Sequence, residues 1–279
     1  MESIFVSIAS FKDSELFPTV TDLYKRANSP NQVYVGVLIQ DSYLVFNSFL
    51  SQFNVKNISI KHVLPEYAEG CGWARNIVMK ELYNNQDYFL LVDSHSRFKN
   101  GWDVEYINML KETPTKSVIS GFPREYHFNE PYEVYSKRNL SSIYIPNEIP
   151  FVGNFTGPHH QKLAQNKNEK IMNISGGNMF CKGDIVKHLT VDDYKYYGTC
   201  EQELYSLLLY QCGVDIYAPS ENLIWHKYFV SGVDNYRELN RPKKIKQNFW
   251  PDAININCSL RSSDDWLKDY KYFIDSNIK

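Results

Sequence analysis

The stretch DYFLLVDSH, residues 87–95, decides the fold class that this sequence predicts. Between two aspartates it places an unbroken apolar and aromatic run without helical spacing, which is typical of a buried strand. Similar runs precede it and alternate with segments of helical spacing. The predicted strands are 4–10, 32–40 and 57–65, and the predicted helices are 16–27, 43–53 and 70–83. This rhythm predicts right-handed βαβ units, and therefore an α/β fold whose mostly parallel central sheet is flanked by helices.

The sequence after residue 95 continues the α/β pattern. A strand is predicted at 116–123, regular structure is predicted to resume at 171–180, and a helix that begins near Thr199 is predicted to end at Gly213. Residues 129–170 are rich in Asn, Pro, Ser and Lys and predict a loop-like insertion beside the ligand site. The last residues, 262–276, have helical spacing. No internal repeat occurs, so we predict a single domain over 1–279.

Composition excludes several classes of function. A net charge of −2 over 279 residues provides no basic surface for nucleic acid, so we expect no nucleic-acid partner. The N-terminus lacks the basic and apolar regions of a secretory signal. No later window approaches about 18 apolar residues, so no transmembrane segment is predicted. We therefore expect a cytoplasmic protein.

The cysteines support the same expectation. They are scattered and form no C-x-x-C pair, so neither a zinc knuckle nor a thioredoxin-like site is indicated. Reduced thiols are expected in the cytoplasm. The five residues are Cys71, Cys181, Cys200, Cys212 and Cys258.

The motif D-S-H closes the predicted strand 87–95. Asp93 and His95 are two residues apart, and residues i and i+2 of a strand lie on the same face. A carboxylate oxygen and an imidazole nitrogen together suit Mn²⁺ or a similar divalent ion. Alone, the pair is also compatible with a capping aspartate and a surface histidine. Its position at the carboxyl end of a central strand, where α/β sheets bind ligands, favours a metal site, and His226 follows another apolar segment and could complete it.

Several blocks of the chain, in this order, resemble the glycosyltransferases that add N-acetylglucosamine to a hydroxyproline of a protein. More distantly, the same blocks are similar to the polypeptide N-acetylgalactosaminyltransferases that start mucin-type O-glycans. Their order and spacing are more specific than any single motif. The blocks are IFVSIASFKDSELFPTV (4–20), GWARNIVMKELY to DYFLLVDSHSRFKNGWD (72–103), SGGNMF (175–180) and YYGTCEQELYSLLLYQCGVDIYAPSENLIWHKY (196–228).

The resemblance implies a GT-A fold, in the form of a single Rossmann-like domain, and a UDP-sugar as donor. It implies that Asp93, His95 and His226 hold a divalent ion, Mn²⁺ or Mg²⁺, between the donor phosphates. Residues 1–103 would form the nucleotide-binding half, 104–230 the acceptor and catalytic half, and 231–279 a C-terminal lid and tail.

The resemblance also implies roles for residues around the donor. Arg75 would lie near the pyrophosphate or the donor sugar, where a planar guanidinium suits phosphate oxygens. Glu201 would be a catalytic carboxylate together with Asp93, with Glu203 as the alternative to Glu201. The remaining residues expected to contact the donor are Ser7, Ala9, Ser10, Phe11, Ser94, Gly176, Gly177, Tyr228 and Arg237.

The predicted function is retaining, metal-dependent transfer of a sugar from a UDP-sugar to a hydroxyl group. N-acetylglucosamine is the first candidate sugar, followed by glucose, galactose and N-acetylgalactosamine, and the acceptor is a protein or a glycan. A nucleotidyl- or phosphotransferase is the rival enzyme, but the sequence has no G-x-x-x-x-G-K phosphate loop. The alternative from another class is a catalytically silent protein that binds the nucleotide sugar. It stays open because Cys200 and Gln202 depart from the pattern of the family.

Overall fold

The computed structural model describes residues 2–53, 56–114, 116–127, 129–138, 142–146, 159–163, 169–191, 201–228 and 260–277. The helices are α1 (Leu16–Arg26), α2 (Tyr43–Gln52), α3 (Cys71–Ile77), α4 (Trp102–Lys111), α5 (Tyr132–Tyr135), α6 (Glu201–Gln211) and α7 (Ser263–Asn277). The strands are β1 (Ile4–Phe11), β2 (Val33–Gln40), β3 (Ile58–Val63), β4 (Tyr88–Asp93), β5 (Ser96–Phe98), β6 (Ser117–Ser120), β7 (Arg124–Glu125), β8 (Ser142–Pro146), β9 (His159–Leu163), β10 (Lys170–Ile171), β11 (Asn178–Lys182), β12 (Asp215–Tyr217) and β13 (Ile224–His226).

The centre of the fold is an eight-stranded sheet in the order β10-β12-β6-β11-β4-β1-β2-β3. The four strands β4, β1, β2 and β3 are parallel, as the strand–helix rhythm predicts. Strand β11 runs antiparallel to both of its neighbours, β4 and β6. The carboxyl ends of the parallel strands therefore share one edge of the sheet, and Asp93 ends β4 at that edge.

Alternation along the strands divides the core between the two faces of the sheet. In β1, Ile4, Val6 and Ile8 belong to the apolar cluster that also contains side chains of α1 and α4. Phe5 points to the opposite face, where side chains of α3 and α6 contribute to the other large cluster. Because helices cover both faces, the central parallel strands β1, β2 and β4 are mostly apolar, whereas the edge strand β3 carries Ser59, Lys61 and His62.

A second, three-stranded sheet lies next to the carboxyl edge, in the order β5-β13-β7. Strand β13 is antiparallel to β5, and this register places His226 opposite Ser96. The small sheet therefore brings a residue from late in the chain beside the segment that follows β4.

The structure corrects two predictions. The strand predicted over 87–95 ends at Asp93, and His95 lies in the bend before β5, so strand alternation is the wrong reason for grouping Asp93 with His95. The insertion predicted as loop-like over 129–170 contains α5 and the antiparallel pair β8–β9, and Tyr135, Ile143 and Ile145 of these elements are buried.

Two other predictions hold. Helix α6 is followed by Gly213 with a φ of +71°, the left-handed conformation that ends many helices. The predicted C-terminal helix is α7. Within the described residues, no helix combines the length and the apolar character needed to cross a bilayer.

Candidate active site

The bend at residues 94–96 is fixed by hydrogen bonds from helix α1. The Thr19 hydroxyl donates to the carbonyl oxygen of Ser94 at 2.7 Å and accepts the Ser96 N–H at 3.0 Å. The Ser96 hydroxyl donates back to the Asp93 carbonyl at 2.9 Å. These bonds replace the strand ladder at the point where β4 stops, so the side chains of residues 93 and 95 have fixed directions.

The three predicted metal ligands come together at this bend. Asp93, His95 and His226 each offer a ligand atom, and these atoms lie within 4.8 Å of one another. The Oδ2 atom of Asp93 is 2.9 Å from Nε2 of His226, and the two imidazole rings are 4.5 Å apart. One carboxylate oxygen and two imidazole nitrogens suit a divalent transition ion such as Mn²⁺.

Arg75 contacts this cluster and joins the carboxylates of Asp93 and Glu201. It extends from α3, and only 3% of its side chain is exposed. Its Nη2 donates to Oδ1 of Asp93 and its Nη1 donates to Oε1 of Glu201, both at 2.5 Å. The guanidinium fork thus joins the end of β4 to the first residue of α6.

Gly176 and Gly177 form the tight turn before β11, and they press against the same groups. A Cβ atom on Gly176 would lie 2.3 Å from Nη1 of Arg75, and one on Gly177 would lie 2.9 Å from Oδ2 of Asp93. Neither glycine has a positive φ. Close approach of the backbone to Arg75 and Asp93 therefore explains this glycine pair, and unusual dihedral angles do not.

The protonation states of the cluster follow from its contacts. Burial opposes ionisation of Asp93, but the Arg75 guanidinium and the His226 ring outweigh it and hold the pKa of Asp93 well below its usual range. Burial lowers the pKa of His226, against the effect of Asp93. At neutral pH, Asp93 is therefore ionised and His226 is neutral, as metal ligands must be. Burial opposes protonation of His95, but the hydrogen bond to Asp13 and the charge of Asp93 outweigh it and raise the pKa of His95, so an ion competes with a proton there.

Two carboxylates in the loop after β1 belong to the site, and the sequence analysis missed them. Asp13 accepts from Nδ1 of His95 at 2.8 Å, and Glu15 accepts from Arg97 at 2.5 Å and from Lys227 at 3.0 Å. Both side chains are almost completely buried. Two acidic residues directly after an apolar strand were the available signal, but they also fit a turn before a helix.

The other residues that were predicted to contact the UDP-sugar lie at different distances from the cluster. Ala9 is paired in register with Asp93, whereas Ser7 is fully buried two residues further into the sheet. The ring of Tyr228 is 4.3 Å from the ring of His226, and its hydroxyl donates to the carbonyl oxygen of Pro123 at 2.7 Å.

Ser10 and Phe11 end β1 at the same sheet edge, and Ser94 is buried in the bend. Arg237 lies outside the described residues, as do Cys200 and Cys258. Among the described residues, Cys71, Cys181 and Cys212 form no disulfide.

Glu203, the predicted alternative to Glu201, is expected to make the free energy of unfolding depend on pH. Burial, reinforced by the charge of Glu201, raises the pKa of Glu203 from 4.5 to about 8. Between these values the folded state keeps a proton that the unfolded state releases, so the free energy of unfolding falls as pH rises. The loss from this one group is at most about 1.4 kcal/mol per pH unit. We expect the neutral isostere Glu203→Gln to remove this slope and to be more stable than wild type at pH 8.

Urea unfolding at pH 5, 6.5 and 8 measures the slope. The matched control is Glu133→Gln, on an exposed position of α5, which should keep the slope of wild type. Equal slopes for wild type and Glu203→Gln would show that Glu203 is ionised in the folded protein.

Comparison with known proteins agrees with the fold. A family model described as Glycosyltransferase (GlcNAc) matches residues 3–45 and 41–241. No curated protein sequence matches the chain significantly.

Two solved structures share the architecture. The crystal structure of GalNAc-T7 with UDP, GalNAc and Mn²⁺ aligns with a TM-score of 0.60 and 14% identity, over 83% of this chain and 45% of that chain. The structure of S. aureus TarS 1-349 in complex with UDP-GlcNAc aligns with a TM-score of 0.54 and 13% identity, over 81% of this chain and 59% of that chain. This chain thus spans less than two thirds of either structure, and the similarity concerns the fold.

The mostly parallel sheet flanked by helices is the GT-A architecture of these neighbours. The family model covers most of the sequence and includes the end of β4, the glycine turn and β13. The chain therefore belongs to the Glycosyltransferase (GlcNAc) family.

Proposed function

We propose that the chain transfers a sugar, N-acetylglucosamine in the first place, from a UDP-sugar to a hydroxyl group. The observation that carries the proposal is the cluster of Asp93, His95 and His226 at the carboxyl edge of a GT-A sheet. Both structural neighbours support a nucleotide donor, since the structure of one contains UDP and that of the other contains UDP-GlcNAc. Membership of the Glycosyltransferase (GlcNAc) family supports N-acetylglucosamine.

The donor set fits a divalent ion, Mn²⁺ or Mg²⁺. Asp93 supplies an ionised carboxylate and His226 a neutral imidazole, while His95 presents a ring held by Asp13. Two nitrogen ligands favour Mn²⁺ over Mg²⁺. Asp93, His95 and His226 would hold the ion, which would supply Lewis-acid stabilisation of the charge on a departing UDP. The Mn²⁺ in the structure of GalNAc-T7 supports the same choice.

Residues of this chain prepare the donor site around that cluster. Arg75 holds Asp93 and Glu201 in fixed positions, so both carboxylates can meet a donor without first reorganising. Gly176 and Gly177 leave space for the backbone to approach the donor sugar, and Glu201 lies on the other side of Arg75 from Asp93. The proposed contacts to uridine are Ala9, Ser10 and Phe11, and further proposed contacts to the donor are Ser94, Tyr228 and Arg237. Ser7 is too deeply buried in β1 to reach the donor.

We propose transfer with retention of the anomeric configuration. Asp93 and Glu201 are both engaged by Arg75, which supports a same-face route over attack by a carboxylate nucleophile. On that route the leaving phosphate helps to deprotonate the acceptor hydroxyl.

The acceptor is proposed to be a hydroxyl of a protein or a glycan. A hydroxyproline is the first candidate, because of the resemblance described above. The division at residues 103 and 230, the lid over 231–279 and the cytoplasmic location stay predictions.

A UDP-release assay tests the proposal. The purified chain is incubated with UDP-GlcNAc, UDP-GalNAc, UDP-glucose and UDP-galactose, with Mn²⁺ or with EDTA. We expect slow hydrolysis of one donor, UDP-GlcNAc first, and a fall to background in EDTA. The free sugar is then examined by NMR as it forms, and retention predicts the α-anomer. Release that is equal in EDTA would refute metal dependence, and binding of UDP without release from any donor would support the silent alternative.

A further inference from the structure

We propose that Asp13 is a positioning residue for the metal site: it fixes the tautomer and the orientation of His95. The inference rests on the proposed metal-dependent function. Asp13 touches neither Asp93 nor His226 in the described structure and is 82 residues away from His95 in the chain.

Both carboxylate oxygens of Asp13 accept from donors. Oδ2 accepts from Nδ1 of His95 at 2.8 Å and from the Ser94 hydroxyl at 2.5 Å, and Oδ1 accepts the backbone N–H of Glu15 at 2.9 Å. Only 1% of the Asp13 side chain is exposed. The Ser94 hydroxyl and the Glu15 N–H both donate to Asp13, one to each oxygen, so the contacts are those of a carboxylate that accepts at both ends.

This arrangement assigns the two nitrogens of His95. Because an ionised carboxylate has no proton to donate, Nδ1 of His95 must carry the hydrogen that joins them. In the neutral ring, Nε2 then keeps the lone pair that a metal ion requires. A carboxylate of this kind on a ligating histidine orients the ring and raises its basicity.

The same loop also contacts the residue next to His226, the other histidine of the cluster. Glu15 holds Lys227, the residue after His226, and the backbone N–H of Lys227 donates to the carbonyl oxygen of His95 at 3.1 Å. Asp13 and Glu15, two buried carboxylates in the loop after β1, thus bind His95 itself and the residue that follows His226. Asp13 acts on a ligand ring directly, so it gives the clearer test.

The variant Asp13→Asn isolates the effect. Both ends of the Asp13 carboxylate face donors, so the NH₂ group of the asparagine must face one of them. Directed at His95, it forces Nδ1 to accept and moves the ring proton to Nε2, where the metal should bind. If the NH₂ group is directed at Glu15 instead, it faces the backbone N–H of Glu15. Two donors then oppose each other, and the loop is displaced. Either outcome weakens metal binding without altering a ligand.

Mn²⁺ binding in the presence of UDP is measured from the EPR signal of free Mn²⁺. We expect the Kd for Mn²⁺ to rise about 10- to 100-fold in Asp13→Asn. UDP release should show the same increase in the Mn²⁺ concentration for half-maximal rate, whereas kcat at saturating Mn²⁺ should change far less. The matched control is Asp103→Asn: Asp103 is equally buried and accepts the N–H groups of Asn28 and Ser29 away from the cluster. It should bind Mn²⁺ like wild type.

A double-mutant cycle separates positioning from general loss of structure. If Asp13 acts through His95, then Asp13→Asn has little further effect on the Kd in a His95→Ala background. Additive effects, or an unchanged Kd in Asp13→Asn, would overturn the inference. Wild type that binds no Mn²⁺ with UDP would instead overturn the proposed metal-dependent function, so the two failures are distinguishable.

Discussion

Replacement of Asp93 by asparagine is expected to lower UDP-sugar turnover by about 10³-fold. The change keeps the size of the side chain but removes the charge that two groups share. In the wild-type protein, Oδ2 of Asp93 faces His226 in the candidate metal cluster, and Oδ1 of Asp93 accepts from Arg75. An amide is a poor metal ligand in this setting, and it leaves the guanidinium with one anionic partner in place of two. Turnover is measured as UDP release at saturating Mn²⁺.

The control for this experiment lies at the other end of the same strand. Asp87 precedes β4 and accepts from Ser3 at the surface, far from the cluster. Asp87→Asn should therefore retain the activity of wild type. Full activity of Asp93→Asn in the same assay would remove Asp93 from the donor site.

Replacement of Arg75 by methionine is expected to lower both stability and activity. Methionine keeps an apolar stem of similar length but leaves Asp93 and Glu201 without the cation that joins them. Removing one partner of a buried ion pair costs about 3–5 kcal/mol, and solvent reaches part of Asp93, so we expect about 3 kcal/mol. Activity should fall by at least about 10²-fold, because both carboxylates lose their fixed positions. Urea unfolding and UDP release measure the two effects.

A second substitution separates the loss of stability, caused by repulsion between Asp93 and Glu201, from the loss of activity. In Arg75→Met with Glu201→Gln, one of the two buried charges is removed, so part of the stability should return while activity stays low. The control is Lys111→Met, since Lys111 pairs with Glu2 at an exposed position and such pairs contribute under about 1 kcal/mol. An Arg75→Met protein as stable as Lys111→Met would contradict the buried bridge.

The regular part of the fold is readable from the sequence because its signals are local. The apolar run of β4 and the helical spacing of α1 and α2 depend on residues within one element. Gly213 could be assigned to a helix end because a left-handed residue is needed there. The antiparallel insertion of β11 between β4 and β6 was not predicted, since strand order depends on contacts far apart in the chain.

The candidate site was predicted in part, and for a partly wrong reason. The trio of Asp93, His95 and His226 was named from the sequence, and the structure brings the three side chains together. However, strand alternation does not group the first two, because the chain bends after Asp93 and Thr19 fixes the bend. A local rule cannot anticipate a hydrogen bond from a helix 75 residues earlier.

Asp13 shows the limit of sequence reasoning most clearly. An acidic residue between a strand and a helix fits many turns, so its type and position alone carry little information. Its significance comes from burial and from contact with His95, and both depend on the assembled fold. The bridge from Arg75 to Glu201 joins residues 126 apart and is equally invisible in a single sequence.

The most direct test of the central claim is an anomalous difference map from crystals of the chain grown with Mn²⁺ and UDP, with data collected at the Mn absorption edge. The account predicts one strong peak within coordination distance of Asp93, His95 and His226, with the diphosphate of UDP as a further ligand. A peak elsewhere, or UDP bound with no peak at these three residues, would contradict it.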